Sequence, residues 1–255
     1  MALTITPLKG IPIITPGIDL AEVITTGLNL SDLELQDNDI IVIAQKIISK
    51  AEGRLVNLKT VIPSESAIEL GSKTEKDPRL VELILRESNQ VLRTRPGTII
   101  VEHKLGFICA SAGIDHSNVR GEGSVNEEWV LLLPENPDET AHKIRKNLET
   151  KGGVHIGVLI NDSHGRAWRI GTVGITVGIS GIPAVVDERG WKDLTGYTLK
   201  ITEVGAADEL AAAASLVMGQ AAEGTPIVLV RGFPYPLRES SLGELLRPRE
   251  QDFFR

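Results

Sequence analysis

Short apolar runs alternate along the chain with polar breaks built from Gly, Pro, Asn and Asp. The run from Asp39 to Ala44 is brief and β-branched, and Asp37-Asn38-Asp39 bounds it, so it predicts a buried strand. Thr98–Glu102 and Gly106–Cys109 flank a short polar link and predict a hairpin. Val130–Leu133, Val154–Ile160, Ile175–Ile179 and Ile227–Val230 add further strands. Helical spacing is rarer. Pro63-Ser64 followed by Glu65 is a capped start for a helix over Ser64–Gly71. Asp77-Pro78 opens Arg79–Ser88, where Leu80, Leu83 and Ile84 recur at helical spacing and proline suits the first turn. Pro137–Thr150 alternates charged and apolar residues in the same period, and Ala207–Met218 is an alanine-rich helix former with a small face for close packing.

Strands thus outnumber helices without strict βα alternation, which predicts an α+β fold of mixed and antiparallel sheets with few helices. No repeat or linker divides the chain, so residues 1–255 read as one unit. Gly171–Gly181 carries glycines at intervals of three, four and three, which matches neither dinucleotide nor Walker phosphate loops. It reads as a glycine-weakened strand with bulges or close backbone approach. The stretch from Ser111 to Glu128 is polar and Gly-rich, the profile of a long functional loop.

Composition narrows the classes. In 255 residues, 27 Lys+Arg against 34 Asp+Glu leave a formal charge of −7, which argues against a globally basic nucleic-acid binder. The single cysteine, Cys109, excludes an internal disulfide and a Cys-rich zinc site. The N-terminus lacks a basic, apolar signal segment, and no apolar run approaches the ~18 residues of a membrane span. The expected setting is cytoplasmic, with neither membrane nor nucleic acid as a partner.

Two acids stand out. Asp115 follows the strand ending at Ala110, and Asp162 directly follows the apolar run Val154–Ile160. Acids at strand ends face ligand crevices, and Asp, Ser and Asn oxygens are the hard ligands of Mg²⁺ and Mn²⁺. The same spacing also fits simple turn caps. His116 and His164 lie near these acids without a third nitrogen or sulfur ligand for zinc, and His103 and His142 are scattered. Lys46, Lys50 and Arg54 lie four residues apart, so a helix there would put three phosphate donors on one face. Arg166 and Arg169 flank Trp168 near Asp162 and form a second local cationic group.

Several segments together resemble the coenzyme F420-0:γ-glutamyl ligase family. These are Leu8-Lys-Gly-Ile-Pro12, Ile48-Ser-Lys-Ala-Glu-Gly-Arg54, Ala112-Gly-Ile-Asp-His-Ser-Asn118, Asp162-Ser-His-Gly-Arg166, Leu216-Val-Met-Gly-Gln220 and Val230-Arg-Gly232. They occur in the family's order and span residues 7 to 232.

The resemblance implies a GTP-dependent ligase that joins L-glutamate to F420-0 and extends a γ-linked tail through a metal-assisted acyl phosphate. It also implies an unusual α+β ligase fold forming an intertwined homodimer. By the same resemblance, Asp115, Asp162, Ser163 and Gln220 bind two divalent cations, Mg²⁺ or Mn²⁺, with K⁺ as a further ion. GTP would be met by Lys9, Gly10, Ile11 and Pro12, by Gln45, Lys46, Lys50 and Asn118, and by Met218, Gly219 and Ala221 within Met218–Thr225. Asp115, Asp162 and Lys50 would be the catalytic set. Ser163 replaces a frequent threonine and keeps the hydroxyl, while the neutral Gln220 attracts a cation less than a glutamate would. Because the sequence stops at Arg255, a C-terminal flavin-reductase domain is not expected. Two alternatives stay open here: a ligase of the same mechanism acting on a folate or pterin acid, and a nucleotide-binding protein without turnover.

Overall fold

The computed structural model describes residues 2–119 and 128–253. In chain order the first elements are β1 (Thr4–Pro7), α1 (Leu20–Leu30), β2 (Ile40–Ala44), α2 (Gln45–Ala51) and β3 (Leu55–Asn57). Next come α3 (Glu65–Thr74), α4 (Pro78–Arg86), β4 (Ser88–Arg95), β5 (Thr98–His103), β6 (Ile108–Ala110) and β7 (Trp129–Leu131). The remainder is α5 (Pro137–Gly152), β8 (Gly157–Gly165), β9 (Thr172–Ser180), β10 (Val186–Asp187), β11 (Glu203–Val204), α6 (Ala206–Met218) and β12 (Ile227–Arg231).

The central sheet has five strands in the order β1-β12-β2-β8-β9. Its only parallel pairing joins β2 to β8, from Ile40↔Gly157 to Ala44↔Asn161; the other neighbours are antiparallel. The β-branched run in β2 is buried on both faces, as a central parallel strand requires. Period-two alternation then sorts it. Ile41 and Ile43 join a core with α1, α4 and α5, whereas Ile40 and Val42 join a second core beneath α6. The fold is α+β with mixed sheets, as the pattern of short runs predicts, and β4-β5-β6 forms a separate antiparallel sheet.

Helix starts follow their caps. Asp19 accepts from the Ala21 and Glu22 backbone N–H groups, Ser64 from Ala67, and Asp77 from Arg79 with Pro78 at the first position. The glycine-spaced segment is strand β9, and close approach explains two of its glycines. A methyl group on Gly174 would collide with the Ala211 carbonyl, and one on Gly178 would lie 2.6 Å from Pro137 Cβ. Helices α6 and α5 therefore pack directly on the strand backbone.

The structure corrects two expectations. The strand expected over Val154–Ile160 instead runs Gly157–Gly165, because pairing with β9 continues to Gly165↔Thr172. Asp162 thus sits within a strand rather than after one. Arg54 lies beyond α2 and turns away from Lys46 and Lys50. Its guanidinium bonds the Leu133 carbonyl and pairs with Glu87 and Glu135, which makes it a structural cation. Within the expected loop, Ser111–Gly113 is a 3-10 turn and Asp115 bridges Leu131, while residues 120–127 lie outside the described part.

His103 is 2% exposed, accepts the Leu105 backbone N–H through Nδ1 at 3.0 Å, and stacks on Phe107. Burial first, then the neighbouring charges of His164, Arg54 and Lys104, lower its pKa to about 4. An unfolded histidine titrates near pH ~6.5, so the unfolded chain takes the proton first as pH falls. The stabilising effect of a neutral His103 is complete above that pH and is lost as pH drops toward 4, by about 3 kcal/mol in all. Denaturant titrations between pH 6.5 and 4.5 are expected to show a shallower stability slope in His103→Phe than in the parent chain. An identical slope would contradict this assignment.

Candidate active site

The parallel pairing of β2 with β8 ends at Ala44↔Asn161, and a cleft of about 440 Å³ opens where β2 gives way to α2 while β8 runs on to Gly165. Crevices at the carboxyl edge of parallel strands are common ligand sites, because the chain paths diverge there. One wall is α2, which continues β2 without a break and presents Gln45, Lys46 and Lys50. The floor is Asn161, Asp162 and Ser163 of β8. The opposite wall is the end of α6 and the loop from Met218 to Pro226, and Pro12, Ile13 and Ile14 close one edge.

Asp115 is held against this cleft rather than serving as a turn cap. Its backbone exchanges two 2.9 Å hydrogen bonds with Leu131. Its Oδ2 accepts from Gln45 Nε2 at 2.6 Å and forms an ion pair with Lys46 Nζ. Gln45 is itself fixed, since the Ser49 hydroxyl donates to its Oε1. Burial raises the Asp115 pKa, Lys46 opposes this, and the like charge of Asp162 adds to it. The two carboxylates therefore address a shared space.

Asp162 is oppositely tuned. Burial works against its charge, yet the His164 hydrogen bond and charge, the Ser163 backbone N–H and Lys46 together bring its pKa below the ordinary range. It stays ionised inside the protein, bonded through Oδ2 to His164 Nε2 at 2.8 Å.

Lys50 donates to the Asn118 carbonyl at 2.9 Å, and burial followed by repulsion from Lys46 lowers its pKa despite Asp115. Asn118, left-handed at φ 57°, in turn donates through Nδ2 to the Ala221 carbonyl at 3.1 Å, so it links the two walls. Gly219 ends α6 at φ 74° and ψ −177°, a region open essentially to glycine alone. Backbone N–H groups of the loop, Glu223 and Ala221 foremost, hold the Glu223 carboxyl below its usual range. The Thr225 hydroxyl donates to the Met218 carbonyl at 2.9 Å and staples the loop to the helix.

The expected residues thus divide cleanly. Pro12, Gln45, Lys46, Lys50, Asn118, Asp162, Ser163, Met218, Gly219, Gln220 and Ala221 line the cleft. Asp115 abuts it through Gln45 and Lys46. Lys9, Gly10 and Ile11 precede the lining on the same segment, where the Lys9 backbone N–H bonds Ser31. Gln220 Nε2 donates to Ser215 Oγ at 3.0 Å. Arg166 lies past β8 and reaches the Gly171 carbonyl across the hairpin turn, away from the lining. Glu223 lines the cleft within the expected Met218–Thr225 segment, and Asn161 lines it with no signal in the sequence beyond its neighbour Asp162. Asn161 Oδ1 is buried without a hydrogen-bond partner.

Among the described residues no three His, Cys, Asp or Glu side chains gather as a metal cage. The donors present are two carboxylates, a hydroxyl and an amide. That set fits a hard cation such as Mg²⁺, which uses one or two carboxylates and completes its shell with phosphate and water oxygens.

The model of the F420-0:Gamma-glutamyl ligase family matches residues 10–232. The coenzyme F420:L-glutamate ligase of Methanothermobacter thermautotrophicus is 44% identical over 257 residues, covering 100% of both chains. That of Methanocaldococcus jannaschii is 47% identical over 232 residues, covering 89% of this chain and 90% of its own. The Archaeoglobus fulgidus ligase is 41% identical over 255 residues, covering 100% and 97%. A family match over residues 10–232 and relatives 44% and 47% identical over nearly the whole chain place it: the chain belongs to the F420-0:gamma-glutamyl ligase family.

Proposed function

We propose that the chain is a GTP-dependent ligase that joins L-glutamate to coenzyme F420-0 by an amide bond and extends a γ-linked tail. The observation that carries this reading is the convergence of Asp115, Asp162, Lys46 and Lys50 where the parallel pairing of β2 and β8 ends, in a chain of this family. Amide formation from a carboxylate needs an activated acid. Transfer of the GTP γ-phosphoryl to a carboxylate oxygen of F420-0 releases GDP and gives an acyl phosphate. Attack by the glutamate amine on that carbonyl then releases phosphate.

In this reading Lys46 and Lys50 contact phosphate oxygens as charge-assisted donors. Pro12, Asn118 and the loop from Met218 to Thr225 frame the nucleotide. Asp115, Asp162, Ser163 and Gln220 would hold Mg²⁺ or Mn²⁺, which when bound neutralises charge on the phosphates. Lys46 already sits on Asp115, so it is placed to exchange a carboxylate for a phosphate partner.

A homodimer belongs to the same proposal. Trp168 and Ile170 at the β8–β9 turn are 87% and 101% exposed, and Leu194 and Ile201 between β10 and β11 are 108% and 88% exposed. In a homodimer these side chains are the apolar surface that a second copy would cover. Light scattering is expected to give twice the chain mass, and a monomer at micromolar concentration would refute it. No helix among the described residues is long and apolar enough to cross a membrane.

The direct test is incubation with F420-0, GTP, Mn²⁺ and L-glutamate, followed by mass spectrometry. Glutamyl mass increments with matching GDP release are expected. GDP release only with a folate or pterin acid would reassign the acceptor, and GTP binding without GDP under either condition would remove the ligase reading.

A further inference from the structure

Asp162 and His164 lie two apart on β8 and so project from the same face of the strand. His164 Nε2 meets Asp162 Oδ2 at 2.8 Å, with the two side chains 8% and 11% exposed. An ionised carboxylate only accepts, so Nε2 carries the proton that it donates. The ring is held by Phe107, whose centroid lies 5.3 Å away at 57°, and Phe107 is itself stacked on His103 at 5.3 Å and 7°. The imidazole is therefore locked in one orientation.

The other nitrogen is informative. His164 Nδ1 is buried without a hydrogen-bond partner. An apolar side chain would fill this place beside Phe107 without leaving a polar atom unsatisfied. What histidine adds is the bond to Asp162.

We propose that His164 is a positioning residue: its Nε2–H fixes Asp162 Oδ2 so that the carboxylate presents its remaining oxygen to a divalent cation in the cleft. The inference rests on the reading of Asp162 as a cation ligand. Carboxylates that bind metals are commonly oriented by such outer partners, whose loss weakens metal affinity by about 10–100-fold.

Titration of the nucleotide-free protein with Mn²⁺, read by electron paramagnetic resonance of the free ion, tests this without any turnover. His164→Met removes the donor while keeping bulk. It is expected to weaken Mn²⁺ binding by about 10–100-fold, at a thermal midpoint close to that of the parent chain. His164→Gln restores an N–H donor and is expected to recover most of the affinity. If His164→Met does not fold, His164→Asn decides, since its amide is polar but too short to reach Asp162 and should bind Mn²⁺ as weakly. Folded Met or Asn variants with parental affinity would overturn the proposal. Asp162→Ala separates the two claims: parental Mn²⁺ affinity in that variant would sink the ligand reading itself, whereas lost affinity there beside parental affinity in the His164 variants would sink only the positioning role.

Discussion

Asp162→Ala is expected to lower GDP release by about a thousandfold in the presence of all substrates, equivalent to about 4 kcal/mol of transition-state stabilisation. The size follows from where the residue stands. Asp162 is only 11% exposed, yet His164, the Ser163 N–H and Lys46 keep its pKa depressed, so a negative charge is maintained on the cleft floor. The carboxylate is thus ionised before any cation arrives, and a cation bound there during phosphoryl transfer would be met by a full charge. The alanine also leaves the His164 donor unsatisfied at a cost of about 1–3 kcal/mol, so the thermal midpoint should be measured alongside. Asp162→Asn keeps an acceptor for His164 while removing the charge. It should match alanine in turnover and the parent in stability. Turnover within tenfold of the parent in the asparagine variant would show that the charge is not used in the reaction.

How much of this was legible beforehand depends on distance along the chain. Asp115 and Asp162 could be singled out because each follows an apolar run. Lys46 and Lys50 could be paired because a single turn of helix separates them. Helix α1 went unread, although the Asp19 cap and the spacing of Leu20, Val23, Ile24 and Leu28 carry a helical signal, because Thr25-Thr26-Gly27 interrupts the apolar run. Strand β4 was not legible. Its sequence is Ser-Asn-Gln-Val-Leu-Arg-Thr-Arg, mostly polar, and only pairing with β5 makes it a strand.

The cleft itself shows the same limit. The hydrogen bond from Asn118 to Ala221 spans 103 residues, and no local pattern encodes it. Arg54 illustrates the converse error. Its spacing from Lys50 is helical, but α2 ends at Ala51, and the side chain is drawn to Glu87 and Glu135 by partners far away in sequence. Local periodicity reads an element, whereas which of its charges remain available is set by tertiary pairing.

That pairing governs the second large effect. Chelation of divalent cations is expected to weaken GTP binding at least about a hundredfold, or about 3 kcal/mol, with recovery on adding Mg²⁺ or Mn²⁺. A chain of net charge −7 repels an anionic nucleotide at long range, so attraction must be local. The local cations are already engaged: Lys46 is paired with Asp115, and Lys50 donates to the Asn118 carbonyl. Around them stand Asp115, Asp162 and Glu223, so the cleft carries more fixed negative than positive charge. A triphosphate entering without a cation would meet facing carboxylates and have to displace Asp115 from Lys46. A divalent ion bound between those carboxylates and the phosphates removes the repulsion and leaves Lys46 to change partners. Fluorescent GTP-analogue titrations with and without chelator measure the difference. Equal affinities would mean that the two lysines suffice, in which case Lys46→Met alone should abolish binding and the paired carboxylates would need another role.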